Sequence, residues 1–485
     1  MLEMRIMKEN DLYQKLLETE KRINRPIGGN PKSITEYAHL ARVETWRQEW
    51  NPETRSTDQA HAMTGNIWSD AIERCLRENG AVSIPRMTEP IYLDRSIVLQ
   101  SGNRLIVHPE TVIRMITGPT GTCMVRNANV VFSQARPVNH CAGADTGILI
   151  EGGIWSDQYN EGRGRGGAYD LQDSMPGSHG MFLLHNITGI TVRNARFRDC
   201  SGYAIQLGNA TDFIIENIAF DETADGIHIE GPSAHGIIRH ISGKTNDDAV
   251  ALNAWDWDDS SLTFGSITDV LVEDIEVRPG YAWSELRLLP GTKVFPNGET
   301  IDCDLHRCLF RNVRGVHTFK MYDQPNLSKP EQDFADPIGK MSDLFFSDIV
   351  VEGIRKADYY DESSVAVFDI CTNIDRLSIR NVRFNYTPGK TDMAPYLVSV
   401  GPKSLTWPRG TKPDDGWKEV FNSNANPVVK SLIVENVYQP DPDKPGSHVP
   451  CTDINKLVLV RHLTLNPDFP HSMPRGGTGH GSVIP

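Results

Sequence analysis

Apolar and polar residues alternate at period two through much of this chain, and the alternation itself recurs. The runs HGMFLL, YAIQLG, DGIHIEG and DAVALN begin at His179, Tyr203, Asp225 and Asp248, at steps of 24, 22 and 23 residues. Second alternating runs lie between them: GITVRNARF, DFIIENIAF and GIIRHIS. Apolar residues spaced by two, rather than by three and four, predict strands and not helices. A period in the low twenties holding two or three short strands predicts a solenoid whose coils form a parallel β-helix. Equivalent positions on successive coils then stack about 4.8 Å apart, the spacing of strands in a sheet. In DGIHIEG the alternation turns Ile227 and Ile229 inward and sets Gly226, His228 and Glu230 toward solvent. Alignment of the runs places His179, Tyr203, Asp225 and Asp248 in one column at the strand starts, with Asp247 beside the last.

Two helices precede the coils. Leu12, Leu16, Leu17 and Ile23 recur at helical spacing among charges, which predicts an amphipathic helix over Asn10–Ile23, packed on the body. IWSDAIERCLREN predicts a second over Ile67–Asn79, with Gly80 as its C-terminal stop. Strand-like runs AVSIP, IYLDRSIVL and RLIVHPETVIRMI follow. A helix leading into these runs resembles the opening of pectin-lyase-like proteins. That resemblance implies an all-β fold, a single-stranded right-handed parallel β-helix with an N-terminal helical cap that covers the first coil. A bare first coil would offer an edge for aggregation. The expected organisation is an N-terminal helical and extended segment over 1–64, one β-helix domain over 65–465, and a Pro/Gly-rich tail over 466–485. Polar insertions at 156–178, 254–265, 323–340 and 402–426 read as surface loops.

Composition narrows the classes. The chain has 485 residues, which a solenoid can hold without a second core. A net charge of −14 lacks the basic footprint of a nucleic-acid binder. No run reaches the roughly 18 apolar residues of a spanning helix, so no membrane partner is expected. The charged start has no apolar signal segment, which makes a cytoplasmic protein the expectation, or a secreted one if a leader was removed. The eight cysteines show no metal spacing and read as buried thiols. Asp256, Asp258 and Asp259 offer oxygen to calcium without an EF-hand spacing. No metal and no cofactor is expected.

Three carboxylates on one face of adjacent coils repel one another, and that repulsion raises the pKa of at least one. A protonated and an ionised carboxyl side by side are the equipment of a glycosidase: one gives a proton to the leaving oxygen, the other activates water or attacks the sugar. Taken singly, each Asp also fits a turn at a coil junction. TADGIHIEG and NDDAVALN resemble two neighbouring motifs of family 28 glycoside hydrolases, the polygalacturonases and rhamnogalacturonan hydrolases. The resemblance, over roughly 65 to 325, implies Asp247 as general acid and Asp225 and Asp248 as the pair that holds and deprotonates water, in an inverting hydrolysis. It departs at two further motifs. The family's Gly-His-Gly stands here as Ser284-Glu285-Leu286, with His228 or Glu285 as stand-ins for the histidine. Its Arg-Ile-Lys stands as Thr318-Phe319-Lys320, with Arg287 on the preceding coil as the replacement charge.

Candidate substrate contacts are His179, Tyr203, His228, Glu230, Trp255, Trp257, Glu285, Arg287 and Lys320. Trp255, Trp257 and Trp283 offer faces on which sugars stack, or else pack the insertion onto the solenoid; Arg287 and Lys320 suit a uronate carboxylate. Arg163 and Arg165 lie in the first insertion, a solvated excursion or a flap toward an anionic ligand. The expected function is a glycoside hydrolase acting on an acidic or modified poly- or oligosaccharide. Alternatives are a β-eliminating lyase, a glycosyl-transferring enzyme, and a trimeric glycan-binding spike or adhesin. A homo-oligomer, dimer or trimer, is left open.

Overall fold

The structure, a computed structural model, describes residues 9–23, 30–51, 54, 56, 60–116, 123–130, 144–158, 180–200, 202–223, 225–245, 247–255, 262–277, 286–294, 298–316, 318–321, 339–352, 366–391, 393–401, 404–408, 417–421 and 427–460. It is a right-handed parallel β-helix. One strand, Tyr203–Thr223, shows how a coil turns. Asn209, Asp212 and Asn217 take left-handed backbone angles and bend the strand into three legs, 203–208, 213–216 and 218–223. Asn and Asp adopt that region at low cost because their short polar side chains bond locally. The last bend repeats on every following coil, at His240, Asp274, Asn312, Asp348, Asn381 and Asn436. Asn217 donates to Asn194 at 3.0 Å, Asn312 to Asp274 at 2.6 Å, Asn381 to Asp348 at 3.0 Å and Asn436 to Asn381 at 3.0 Å.

Inward positions fill the core with one apolar column per face. On the first face Ile205, Ile227, Val250, Leu286, Phe319, Phe368 and Val398 follow one another in register, all nearly or fully buried. Phe319 and Phe368 stack with centroids 4.5 Å apart, and Phe310 and Phe346 at 4.4 Å. An outward column on the second face alternates in charge: Glu151, Arg193, Glu216, Arg239, Glu273 and Arg311, then Ser347, Arg380 and Glu435. Opposite charges on neighbouring strands attract, and a slip of one coil would set like against like.

Helix α1 (Glu9–Ile23) lies across this same face. Leu12, Leu16 and Ile23 pack on Ile214, Ile237, Leu271, Leu309 and Phe345, one residue from each of five coils. Glu9 accepts from Ser347 and Arg380, Tyr13 lies under Arg311, Lys15 pairs with Asp269, Glu20 with Arg239, and Arg22 with Asp212. The helix therefore runs against the direction of coil growth. Helix α2 (Ser69–Asn79) closes the N-terminal end of the core with Ala71, Ile72, Cys75 and Leu76. Gly80 stops it in the left-handed conformation, φ 70°, its N–H bonded to the Leu76 carbonyl. Both helices stand where expected, and α2 begins two residues later than the pattern suggests. Among the described residues Cys75, Cys123, Cys200, Cys303, Cys308 and Cys371 are buried, with Cys451 half-buried. Among the described residues no helix is long and apolar enough to cross a membrane.

Candidate active site

The first face carries the carboxylates. Tyr203 is paired with Asp225, and the Gly226 N–H donates to the Asp248 carbonyl at 2.8 Å, so the three strand starts follow one another up the coils. The partner of Tyr203 on the coil below is Gly180. This corrects the expected column by one residue, because the count of 24 between the first two runs includes an extra position. His179 itself lies outside the described residues, as do Trp257, Glu285, Trp283, Arg163, Arg165 and the aspartates 256, 258 and 259.

Oxygens of Asp225, Asp247 and Asp248 lie within 4.8 Å of one another. Arg287, in the strand Leu286–Leu289 of the next coil, aims its guanidinium into the group. Its Nε is 2.6 Å from Asp248 Oδ2 and its Nη2 is 3.9 Å from Asp225 Oδ2. Asp225 and Asp248 are buried, while Asp247 is partly exposed. Burial is the largest influence on Asp248 and pushes its carboxyl well above the ordinary range. Arg287 works against that, Asp247 and Asp225 add to it, and Lys320 opposes it. Asp248 thereby tends to keep its proton beside two further carboxylates.

Below and above the carboxylates the outward positions form a polar column: Gln206, His228, Ala251, Arg287, Lys320, Asp369 and Ser399. The expectation that His228 and Glu230 face solvent is corrected, since both are completely buried. They do point away from the core, but other side chains cover them. Tyr203 stacks on the His228 ring at 4.1 Å, nearly parallel. The ring's Nδ1 is 3.6 Å from Asp225 Oδ2, and its Nε2 is 3.1 Å from the Asn253 amide nitrogen. With Asn253 donating, Nε2 accepts and the ring proton sits on Nδ1, toward Asp225. His228 thus stands buried beside Asp225.

Glu230 accepts from Gln206 Nε2 at 2.5 Å and from the Leu262 N–H at 2.9 Å, which ties the end of the 254–265 insertion to the coil. His185 Nε2 lies 3.3 Å from it, yet burial and the neighbouring His228 hold His185 down to about 3, so the imidazole is neutral. Gly208 leaves the room for this: a Cβ there would meet His185 Cε1 at 2.4 Å. Trp255 is also corrected. It is buried in the core cluster, against Gly291, instead of offering an open face to a sugar.

Of the expected residues, the structure gathers Asp225, Asp247, Asp248, Tyr203, His228, Glu230, Arg287 and Lys320 on one face. Asp247 and the edge of Arg287 are the charged groups of this set with access to the outside. Gln206, His185, Asn253 and Asp369 belong to the same polar lattice and were not anticipated. Their signal is the register alone: Gln206, Asn253 and Asp369 sit one coil from His228, Glu230 and Lys320, and His185 two coils from Glu230.

No known family profile matches the chain, and no curated protein matches it. Solved structures do. Endo-xylogalacturonan hydrolase from Aspergillus tubingensis is 11% identical, over 84% of this chain and 95% of that one, with a TM-score of 0.44. The family 28 exopolygalacturonase of Yersinia enterocolitica is 9% identical, over 82% and 81%, with a TM-score of 0.41. A tailspike protein of E. coli bacteriophage HK620, in complex with a pentasaccharide, is 12% identical, over 79% and 65%, with a TM-score of 0.47.

Proposed function

We propose that the protein hydrolyses a glycosidic bond. The observation behind this reading is the three carboxylates within 4.8 Å of one another, bridged by Arg287, with Asp247 alone of the three turned toward the outside. Asp247, the carboxyl of the three that reaches the outside, gives a proton to the leaving oxygen and regains it from solvent once the product has left. Asp225 and Asp248, the latter fixed by Arg287, sit on adjacent rungs and hold the attacking water between them, and Asp225 takes the proton that the water releases. Both are too deeply buried to bond covalently to a sugar carbon, which favours water as the nucleophile and an inverted product. The spacing is nevertheless shorter than the roughly 6.5–9.5 Å of an ordinary inverting pair.

The test is a panel of plant and bacterial oligosaccharides, with product masses and the first-formed anomer read by mass spectrometry and proton NMR. The expected result is one water gained per cleavage with inversion, and a loss of about 10²–10⁴-fold in rate for Asp247→Asn. The same variant removes a charge that repels its neighbours, so its melting temperature is expected to rise by about one degree, which for a chain of this length is about 1 kcal/mol. An unsaturated product absorbing in the ultraviolet, without added water, would mark elimination instead. Glycan binding untouched by the substitution, with no product, would mark a spike or adhesin.

A further inference from the structure

We infer that the sugar unit seated at the three carboxylates is a neutral one, and that this position rejects a uronic acid. This rests on the hydrolase reading and sharpens its substrate class. From the sequence, Arg287 and Lys320 look like a reception for a sugar carboxylate. Their positions in the fold say otherwise. The Arg287 guanidinium is directed at Asp248, 2.6 Å from Nε, with Asp225 3.9 Å from Nη2. It is spent on the protein's own anions, and its side chain is only 13% exposed. Lys320 is buried and stands in the column between Arg287 on one coil and Asp369 on the next, the latter also buried.

The charges of this face can be set against each other. Asp225, Asp247, Asp248, Glu230 and Asp369 are carboxyls; Arg287 and Lys320 are the cations beside them, Arg126 stands three rungs below His228 in the same column, and the buried His185 is neutral. With one proton retained among the three aspartates, the described residues of this face still carry an excess of negative charge. A carboxylate brought against it meets repulsion in a partly desolvated site, where charges are weakly screened. A neutral sugar meets none, and its hydroxyls donate charge-assisted hydrogen bonds to carboxylates that would otherwise lack donors from the ligand.

Matched monosaccharide pairs test this on the wild-type protein: galactose against galacturonate and glucose against glucuronate, by saturation-transfer NMR titration at 20 and 300 mM sodium chloride. The neutral member of at least one pair is expected to bind about tenfold or more tightly than its acid. The acid's binding should improve in high salt, because repulsion is screened. Asp369→Asn, outside the three carboxylates, should narrow the gap. A uronate that binds as well as or better than its neutral partner, and loosens in salt, overturns the inference. So does cleavage, in the oligosaccharide panel, of a bond whose sugar at this position is a uronate, and that outcome leaves the hydrolase reading standing. A panel without product together with titrations without binding would end both.

Discussion

His185 shows what a single buried residue contributes to the behaviour of the site. Its imidazole titrates near 6.5 when unfolded and is held down to about 3 in the fold by burial and by His228. The unfolded chain therefore binds the extra proton first. The stability this group contributes is complete above pH 6.5 and is lost as the pH falls from there toward 3. Asp248 works in the opposite sense: its raised carboxyl takes up a proton early and favours the folded state at lower pH. Thermal melts of the wild type and His185→Gln between pH 7 and pH 4 separate the two. The variant should lose less stability on acidification, and parallel curves would show that His185 is not the group responsible. Part of this lattice is legible in the sequence. The DGIHIEG and NDDAVALN runs name the three aspartates and place Arg287 one coil on. Burial of His228 and Glu230 is not legible, because alternation tells which way a side chain leaves its strand and nothing of what covers it. Leu262, whose N–H caps Glu230, lies 32 residues away in the chain.

At the scale of elements, α1 is the clearest case of a pattern half read. Its own stripe of Leu12, Leu16 and Ile23 predicts a packed helix. Its docking surface is one apolar residue per coil, at Ile214, Ile237, Leu271, Leu309 and Phe345, separated by 23 to 38 positions, and no local window contains two of them. Polar contacts fix its place as well. Glu9 supplies the acid that the alternating column lacks where Ser347 interrupts it, accepting from Ser347 at 2.9 Å and from Arg380 at 3.4 Å. Leu16→Asp places a charge in that fully covered seam and should cost about 3 kcal/mol or more, read as a lowered denaturant midpoint. It should also bare the stripe on the second face and lead to self-association in light scattering. Glycan cleavage by the folded fraction should persist, because the helix lies on a different face from the carboxylates. An unchanged midpoint would show that α1 contributes little to holding the coils.

The whole molecule has an order of assembly written into it. In a β-helix each coil packs on the one before and the one after, so most of its contacts reach only one coil away. The first helix breaks this rule. It precedes every coil in the chain, but its partners extend as far as Phe345 and Arg380. From Glu9 to Arg22 a helix covers about 20 Å, enough with its long side chains to reach across five rungs spaced about 4.8 Å apart. A segment synthesised ahead of the coils thus finds its full seat only when more than three hundred further residues have emerged and coiled. Until then its apolar side stays without its complete cover, and when it docks it ties early coils to late ones in a single act. In this protein α1 works as a closing latch, and its arrival marks the point at which a growing stack of coils becomes one cooperative body.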